Sequence, residues 1–293
     1  MNNDRIQEIL DLMEEARLDY FLISDPQSIA YCTGYYNDPH ERMFVFMISK
    51  HGNHTLFMND LFYLEHDLDV NIVWHKDGQD AIQTIVDEMH FPGRIGIDKN
   101  WASHFLLDLM KKLPDAKYIN ASPCVDLVRM KKDLQEQVLM IESSKINDAV
   151  MEEIIPFIQE GVTEKQLAKK LDELFFNHHS TCYGAIVAFG KNAADPHHEN
   201  DDTPLRKGDC ALIDMGCVYK GYCSDMTRTF FYEGILEEEI KVYEIVKKAN
   251  EAAEAMIKPG VKLSDIDKCA RKVISDEGYG KYFTHRLGHF IGR

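Results

Sequence analysis

PHHENDDTPLRKGDCALIDMGCVYKGYCSDMTRTFFY, residues 196–232, decides how this chain is read. CALIDMGCV (210–218) and YCSDMTRTFFY (222–232) are apolar runs on either side of a tight Tyr-Lys-Gly turn, so they read as one β-hairpin. Asp214 and Asp225 lie 11 residues apart on its two arms, where a short turn lets them oppose each other across the strands. Directly opposed residues sit about 5 Å apart between β-carbons. The strands are otherwise apolar (Ala211, Leu212, Ile213; Phe230, Phe231). Two carboxylates so close on such strands repel unless a cation lies between them. Divalent ions meet that need, held by carboxylate oxygens and imidazole. The plainer alternative has one aspartate capping a turn and the other pairing with Arg228.

An imidazole is available near the far end, in HRLGHFIGR (285–293). His285 and His289 are four apart, the spacing of a zinc-binding HExxH helix, but Arg286 stands where the glutamate would be. Gly288 and Gly292 also oppose a stable helix. A strand or loop that delivers His289 to a site built elsewhere fits better than a zincin helix. Two solvent-facing histidines are the alternative.

Upstream, two kinds of patterning divide the chain into residues 1–130 and 131–293. In the first part, a helix over 4–18 (Ile6, Ile9, Leu10, Met13) precedes a β-like DYFLIS. Strands are expected at 42–49, 54–59, 71–75, 94–98 and 116–120, with helices at 78–90 and 102–113. That makes a compact α/β domain whose glycine-bearing FPGRIG is no phosphate loop. In the second part, Asp133 with Glu136 and Thr163 with Gln166 are capping boxes. They open a long helix that Pro156 ends or kinks, and a helix to about Phe176. A strand at 183–190 follows. Helices at 236–257 and after Ser264 then repeat the helix–helix–strand order, as in a duplicated fold whose second half is about 40 residues shorter.

Composition narrows the partners. Forty-nine acidic against 33 basic residues give a net charge of −16, so nucleic acid is not an expected partner. No apolar run reaches the ~18 residues of a membrane span, and MNNDRIQEIL has no signal-peptide pattern. Seven cysteines without a CxxC pair fit reduced thiols in a cytoplasmic protein.

Four ordered segments resemble one family. They are Gly190–His197 (GxNAAxPH), Lys207–Gly216 (KGDxxLIDMG), Gly221–Phe230 (GYxSDxTRTF) and His285–Gly292 (HxLGHxIG). This pattern is similar to that of the creatinase, prolidase and aminopeptidase-P group, and LDYFLISDPQSIAYCTGY resembles the opening of its N-terminal domain. The resemblance covers nearly all of the chain. It implies an α+β protein: a creatinase-like α/β domain over 1–130 and a "pita-bread" metallopeptidase domain over 131–293. The implied activity is metal-dependent hydrolysis of Xaa-Pro peptide bonds by a dipeptidase or aminopeptidase, in a homodimer, with two divalent ions (Mn, Co or Zn). By resemblance Asp214, Asp225 and His289 are metal ligands, Asp225 bridging both ions. His197 and His285 hold the proline-containing peptide and its tetrahedral intermediate. His178, His179 and His198 match nothing catalytic and are expected in loops or at the surface.

The family pattern continues with a further histidine and two metal-binding glutamates that this sequence does not contain. A catalytic domain truncated at its C-terminus, with an uncovered sheet edge and apolar helix face, is therefore expected, and so is impaired turnover. Arg286 also replaces a usual glycine. The alternatives are a non-catalytic binding or oligomerisation relative and, behind it, a creatinase-like amidinohydrolase.

Overall fold

A computed structural model describes every residue except Phe91, the first residue of the FPGRIG stretch. The chain divides into two compact units, Met1–Lys131 and Lys132–Arg293.

The first unit is a six-stranded mixed sheet with helices on both faces. Its strands are β1 (Tyr20–Ile23), β2 (Val45–Ser49), β3 (Thr55–Asn59), β4 (Asn71–His75), β5 (Arg94–Ile97) and β6 (Lys117–Asn120), in the order β4-β3-β2-β1-β5-β6. The β1–β2 and β2–β3 pairs are antiparallel and the others parallel. Central strands β1, β2 and β3 are buried along their whole length, as apolar strands covered on both faces must be. Alternation decides which residue meets which helix. Phe21, Ile23, Phe46 and Ile48 join the core shared with α1 (Asn3–Glu15), α2 (Pro26–Thr33) and α5 (Ser122–Met130). Tyr20, Leu22, Val45 and Met47 join the core shared with α3 (Ala81–Glu88) and α4 (Ser103–Lys112). Neither α2 nor α5 was expected from periodicity. Both are short, and each carries proline in its first turn; Asp25 caps α2 by accepting from the Ser28 amide.

The second unit opens with α6 (Leu134–Ile154) and α7 (Glu164–Asn177). Both expected capping boxes form. Asp133 accepts from the Glu136 amide and Glu136 from the Asp133 amide; Thr163 and Gln166 do the same. A 3-10 turn at 155–157 absorbs Pro156. Next come β7 (Thr181–Cys182), β8 (Ile186–Phe189), β9 (Cys210–Met215), β10 (Cys217–Tyr219), β11 (Tyr222–Cys223) and β12 (Met226–Phe231). Strands β12-β9-β8 form one antiparallel sheet and β11-β10-β7 another. Val187, Phe189, Ala211, Ile213 and Met215 point into a core with Val150, Leu167, Leu171 and Phe175 of the two helices.

Helices α8 (Glu237–Glu254) and α9 (Leu263–Asp276) pack through Ile245, Ala249, Ala253, Ala270 and Ile274. Ile240, Tyr243 and Val246 of α8 are exposed. Among the described residues no strand follows α9. Residues 283–293 run as a loop, so the helix–helix–strand order is not repeated, and His289 arrives on a loop.

Candidate metal and substrate site

The turn of the hairpin has two residues, Lys220 and Gly221, both with positive φ (49° and 83°), between the paired Tyr219 and Tyr222. That geometry matches the right-handed strand twist and sets the register of both arms. The register is continuous: Val218 faces Cys223 before the break in the ladder, and Met215 faces Met226 after it. The break lies at Gly216, where a β-carbon would meet the Ser224 carbonyl oxygen at 2.2 Å. Only glycine permits this approach of the two backbones.

The expected direct opposition of Asp214 and Asp225 is therefore corrected. Asp214 faces Thr227 on one side and Ile186 on the other. Asp225 falls in the break, in the register position facing Gly216. The two carboxylates are diagonal neighbours on one face of the hairpin, still within reach of each other's charge. Thr227 Oγ1 donates to Asp214 Oδ1 at 2.6 Å. Arg228 donates to the Thr227 carbonyl at 2.8 Å.

The His285–Gly292 loop is pinned at several points. Asp267 and Arg271, one turn apart on α9, pair at 3.1 Å. Arg271 donates to the carbonyls of Phe283 (2.7 Å) and His285 (3.1 Å), and the Leu287 amide donates to Asp267 (2.9 Å). The Arg271 bond and then the Leu287 amide hold the Asp267 carboxyl below its ordinary value. The Cys223 amide, beside Asp225, donates to the Gly292 carbonyl at 2.7 Å. His289 Nε2 thereby lies 3.3 Å from Asp225 Oδ2, while its Nδ1 faces the Phe290 carbonyl at 2.9 Å. Carbonyls only accept, so Nδ1 is the ring's donor to Phe290, and Nε2 is the atom turned toward the carboxylate. A ring nitrogen and a carboxylate oxygen that face each other in this way are bridged by a proton or by a metal ion.

One cavity of about 920 Å³ is lined by all five residues singled out in the sequence: Asp214, Asp225, His289, His197 and His285. The rings of His197 and His285 meet edge to face at 6.0 Å between centroids, and both residues are exposed. Burial raises the Asp214 carboxyl above its ordinary value; the Thr227 bond opposes this, the Asp225 charge adds to it and His289 opposes it. Two carboxylates and an imidazole that line one cavity are donor types suited to a divalent ion.

A tighter group lies elsewhere in the unit. Glu164, His198 and Asp201 bring one ligand atom each within 4.8 Å of one another, which among the described residues Asp214, Asp225 and His289 do not. Of the two placements expected for His198, loop or surface, the structure shows the loop. Its side chain is only 13% exposed and its Nε2 donates to the fully buried Glu164 at 2.6 Å. His178 pairs with Glu153 at 3.0 Å, and His179 is an exposed turn residue with φ of 54°. Periodicity cannot mark Glu164, because it shows only as the acid that opens α7. Asp267 and Arg271 left a faint signal, an i,i+4 pair just before the histidine loop.

Comparison with known proteins places this architecture. Residues 138–293 match metallopeptidase family M24, and residues 5–131 match the creatinase/prolidase N-terminal domain. The chain belongs to metallopeptidase family M24, with a creatinase-like N-terminal domain and a pita-bread domain. An uncharacterized peptidase of Staphylococcus aureus (strain MW2) is 31% identical over 297 residues, spanning 98% of this chain and 83% of that protein. A dipeptidase from Pyrococcus horikoshii is 34% identical, with a TM-score of 0.88 over 98% of this chain and 82% of that one. A prolidase from Thermococcus sibiricus is 30% identical, with a TM-score of 0.93 over 100% of this chain and 82% of that one.

Proposed function

We propose that this unit binds a divalent cation through Asp214, Asp225 and His289, and that its cavity takes peptides with proline in the second position. The cleaved bond in this reading is Xaa-Pro. The observation that carries the reading is His289 Nε2 set 3.3 Å from the Asp225 carboxylate, on the face that also bears Asp214. The prolidase and dipeptidase to which the chain is similar support the substrate class.

When bound, a divalent ion supplies Lewis acidity, lowering the pKa of water and drawing charge from a peptide carbonyl. The chain's own groups do the rest. Asp214, partly buried, and Asp225, exposed, supply negative charge, and the Phe290 carbonyl orients the His289 ring. His197 and His285, across the same cavity, are placed to donate to the peptide and to charge that develops on its carbonyl oxygen. Comparable donors contribute about 3–4 kcal/mol. A proline imide has no N–H, so the cavity must recognise ring shape and the flanking carbonyls.

Three protein ligands are fewer than two ions of four to six ligands each require. Asp214, Asp225 and His289 are therefore expected to hold one ion. Calorimetric titration with Mn²⁺ tests this expectation. Asp225→Ala should weaken binding on the order of 100-fold, as loss of a charged ligand does, and heats unchanged by the substitution would refute the site. Robust Mn²⁺-dependent cleavage of Ala-Pro by chain of verified mass would show that three ligands suffice.

A further inference from the structure

Glu164 is an acidic residue with no solvent exposure that the proposed chemistry does not use. Both its oxygens are fully engaged. Oε1 accepts from the Phe189 amide (2.8 Å) and from Asn192 Nδ2 (2.9 Å); Oε2 accepts from His198 Nε2 (2.6 Å) and the Asp201 amide (3.1 Å). With four donors already in place, the group is better suited to holding chain than to holding a metal ion, even though Glu164, His198 and Asp201 lie within ligand distance of one another. The four donors are Phe189 at the end of β8, Asn192 in a second 3-10 turn (Gly190–Ala194), and His198 and Asp201 in the loop that follows. One buried carboxylate thus ties the 189–201 segment to the start of α7, where the helix dipole also favours its charge.

His197 sits inside this tied segment. On one side, the Asp195 carboxylate accepts from the His197 amide (3.0 Å), and the Asp195 amide donates to the carbonyl of Asn192, itself a Glu164 donor. On the other side is His198, whose ring is bonded to Glu164. We propose that Glu164 and His198 are positioning residues that aim the His197 imidazole at the cavity. The inference rests on the reading of His197 as a peptide contact. A hydrogen-bonded charge in a dry setting suits this task, because losing a partner leaves several buried donors unmet and lets the loop rearrange.

The test uses the full chain labelled with ¹⁵N at histidine. In Glu164→Gln and in His198→Gln, the His197 ring resonances should move, while Mn²⁺ affinity stays within about twofold because no metal ligand is altered. His198→Gln keeps a side-chain donor and is the milder change, should Glu164→Gln fail to fold. Binding of Ala-Pro to the Mn²⁺-loaded chain should weaken about tenfold in His198→Gln and in His197→Ala, and no further in the double variant, because His198 acts through His197. Unmoved His197 resonances in folded His198→Gln overturn the positioning role. So does an Ala-Pro loss that persists when His197 is already alanine. Ala-Pro binding that is indifferent to His197→Ala overturns the reading of His197 itself, whatever the resonances do.

Discussion

Asp98 of the first unit and Asp214 of the second are two carboxylates in opposite settings. In the first, Asp98 is 7% exposed and accepts from the Ser24 amide (2.6 Å), the Ser24 hydroxyl (2.9 Å), the Asp25 amide (2.7 Å) and the Asn100 amide (3.0 Å). It is closed by its own fold. In the second, Asp214 has one side-chain donor, Thr227, and otherwise faces a cavity shared with Asp225 and His289. A closed carboxylate stabilises a loop junction. An open one, held near another of its own sign, costs stability and remains available to a ligand. Glu164 shows that the second unit also contains the closed kind.

The largest effects should come from the first unit's core. Phe21 is fully buried in the central strand β1, and Phe21→Ala should destabilise that unit by about 3–5 kcal/mol. Urea unfolding would measure this, and Mn²⁺ titration of the folded fraction should be unchanged. Loss of metal affinity in this variant would show that the two units are energetically coupled. The carboxylates break or sharpen the comparison more directly. Asp98→Ala removes the acceptor of four donors and should cost about 2–3 kcal/mol. Asp214→Asn relieves charge repulsion and should leave stability unchanged or raise it by up to ~1 kcal/mol, while abolishing Mn²⁺ binding. Equal losses of stability in the two variants would erase the distinction between closed and open groups.

How far the sequence exposed this arrangement follows from the range of each interaction. The strands of the first unit and the long helices of the second were legible because periodicity and capping boxes are local. Asp133, Thr163 and the Lys220-Gly221 turn read correctly for the same reason. The short helices α2 and α5 did not show, because eight or nine residues give too little periodicity. Asp214, Asp225 and His289, which motifs and chemistry single out together, line one cavity. Their geometry was not legible, because the two-residue turn pairs Tyr219 with Tyr222, and that register puts Asp225 opposite Gly216, diagonal to Asp214. Glu164 was hidden for a related reason. Four donors spread over residues 189–201 converge on it only in three dimensions.

A smaller effect tests the local part of that reading. Asp133→Ala removes the carboxylate that caps α6 by accepting from the Glu136 amide. It should cost about 1 kcal/mol in urea unfolding. Asp133→Ser should recover most of the loss. A full loss that serine does not restore would mean that the side chain acts through something other than the cap.

The smallest expected effect is in pH dependence, and here the two units should differ in sign. Burial pushes the Asp19 carboxyl up, but Lys50 and the amides of Arg94 and Gly93 outweigh it and hold the group below its ordinary value of 3.8. A depressed carboxyl contributes stability that is present above the unfolded pKa and is lost as pH falls through the folded value. Asp214 is raised, so the opposite holds: the native state favours its proton, and stability is lost as pH rises from 3.8 through the folded value. Urea midpoints measured from pH 7 to pH 3 in metal-free buffer should therefore diverge between Asp19→Asn and Asp214→Asn. The deficit of Asp19→Asn relative to the parent should be full at pH 7 and shrink below pH 4. Any advantage of Asp214→Asn should also be full at pH 7 and vanish toward pH 3, where the parent carboxyl is protonated. Two variants that shift in the same direction at pH 7 would mean that Asp214 is closed by partners in solution, and the open character assigned to the cavity would fall with it.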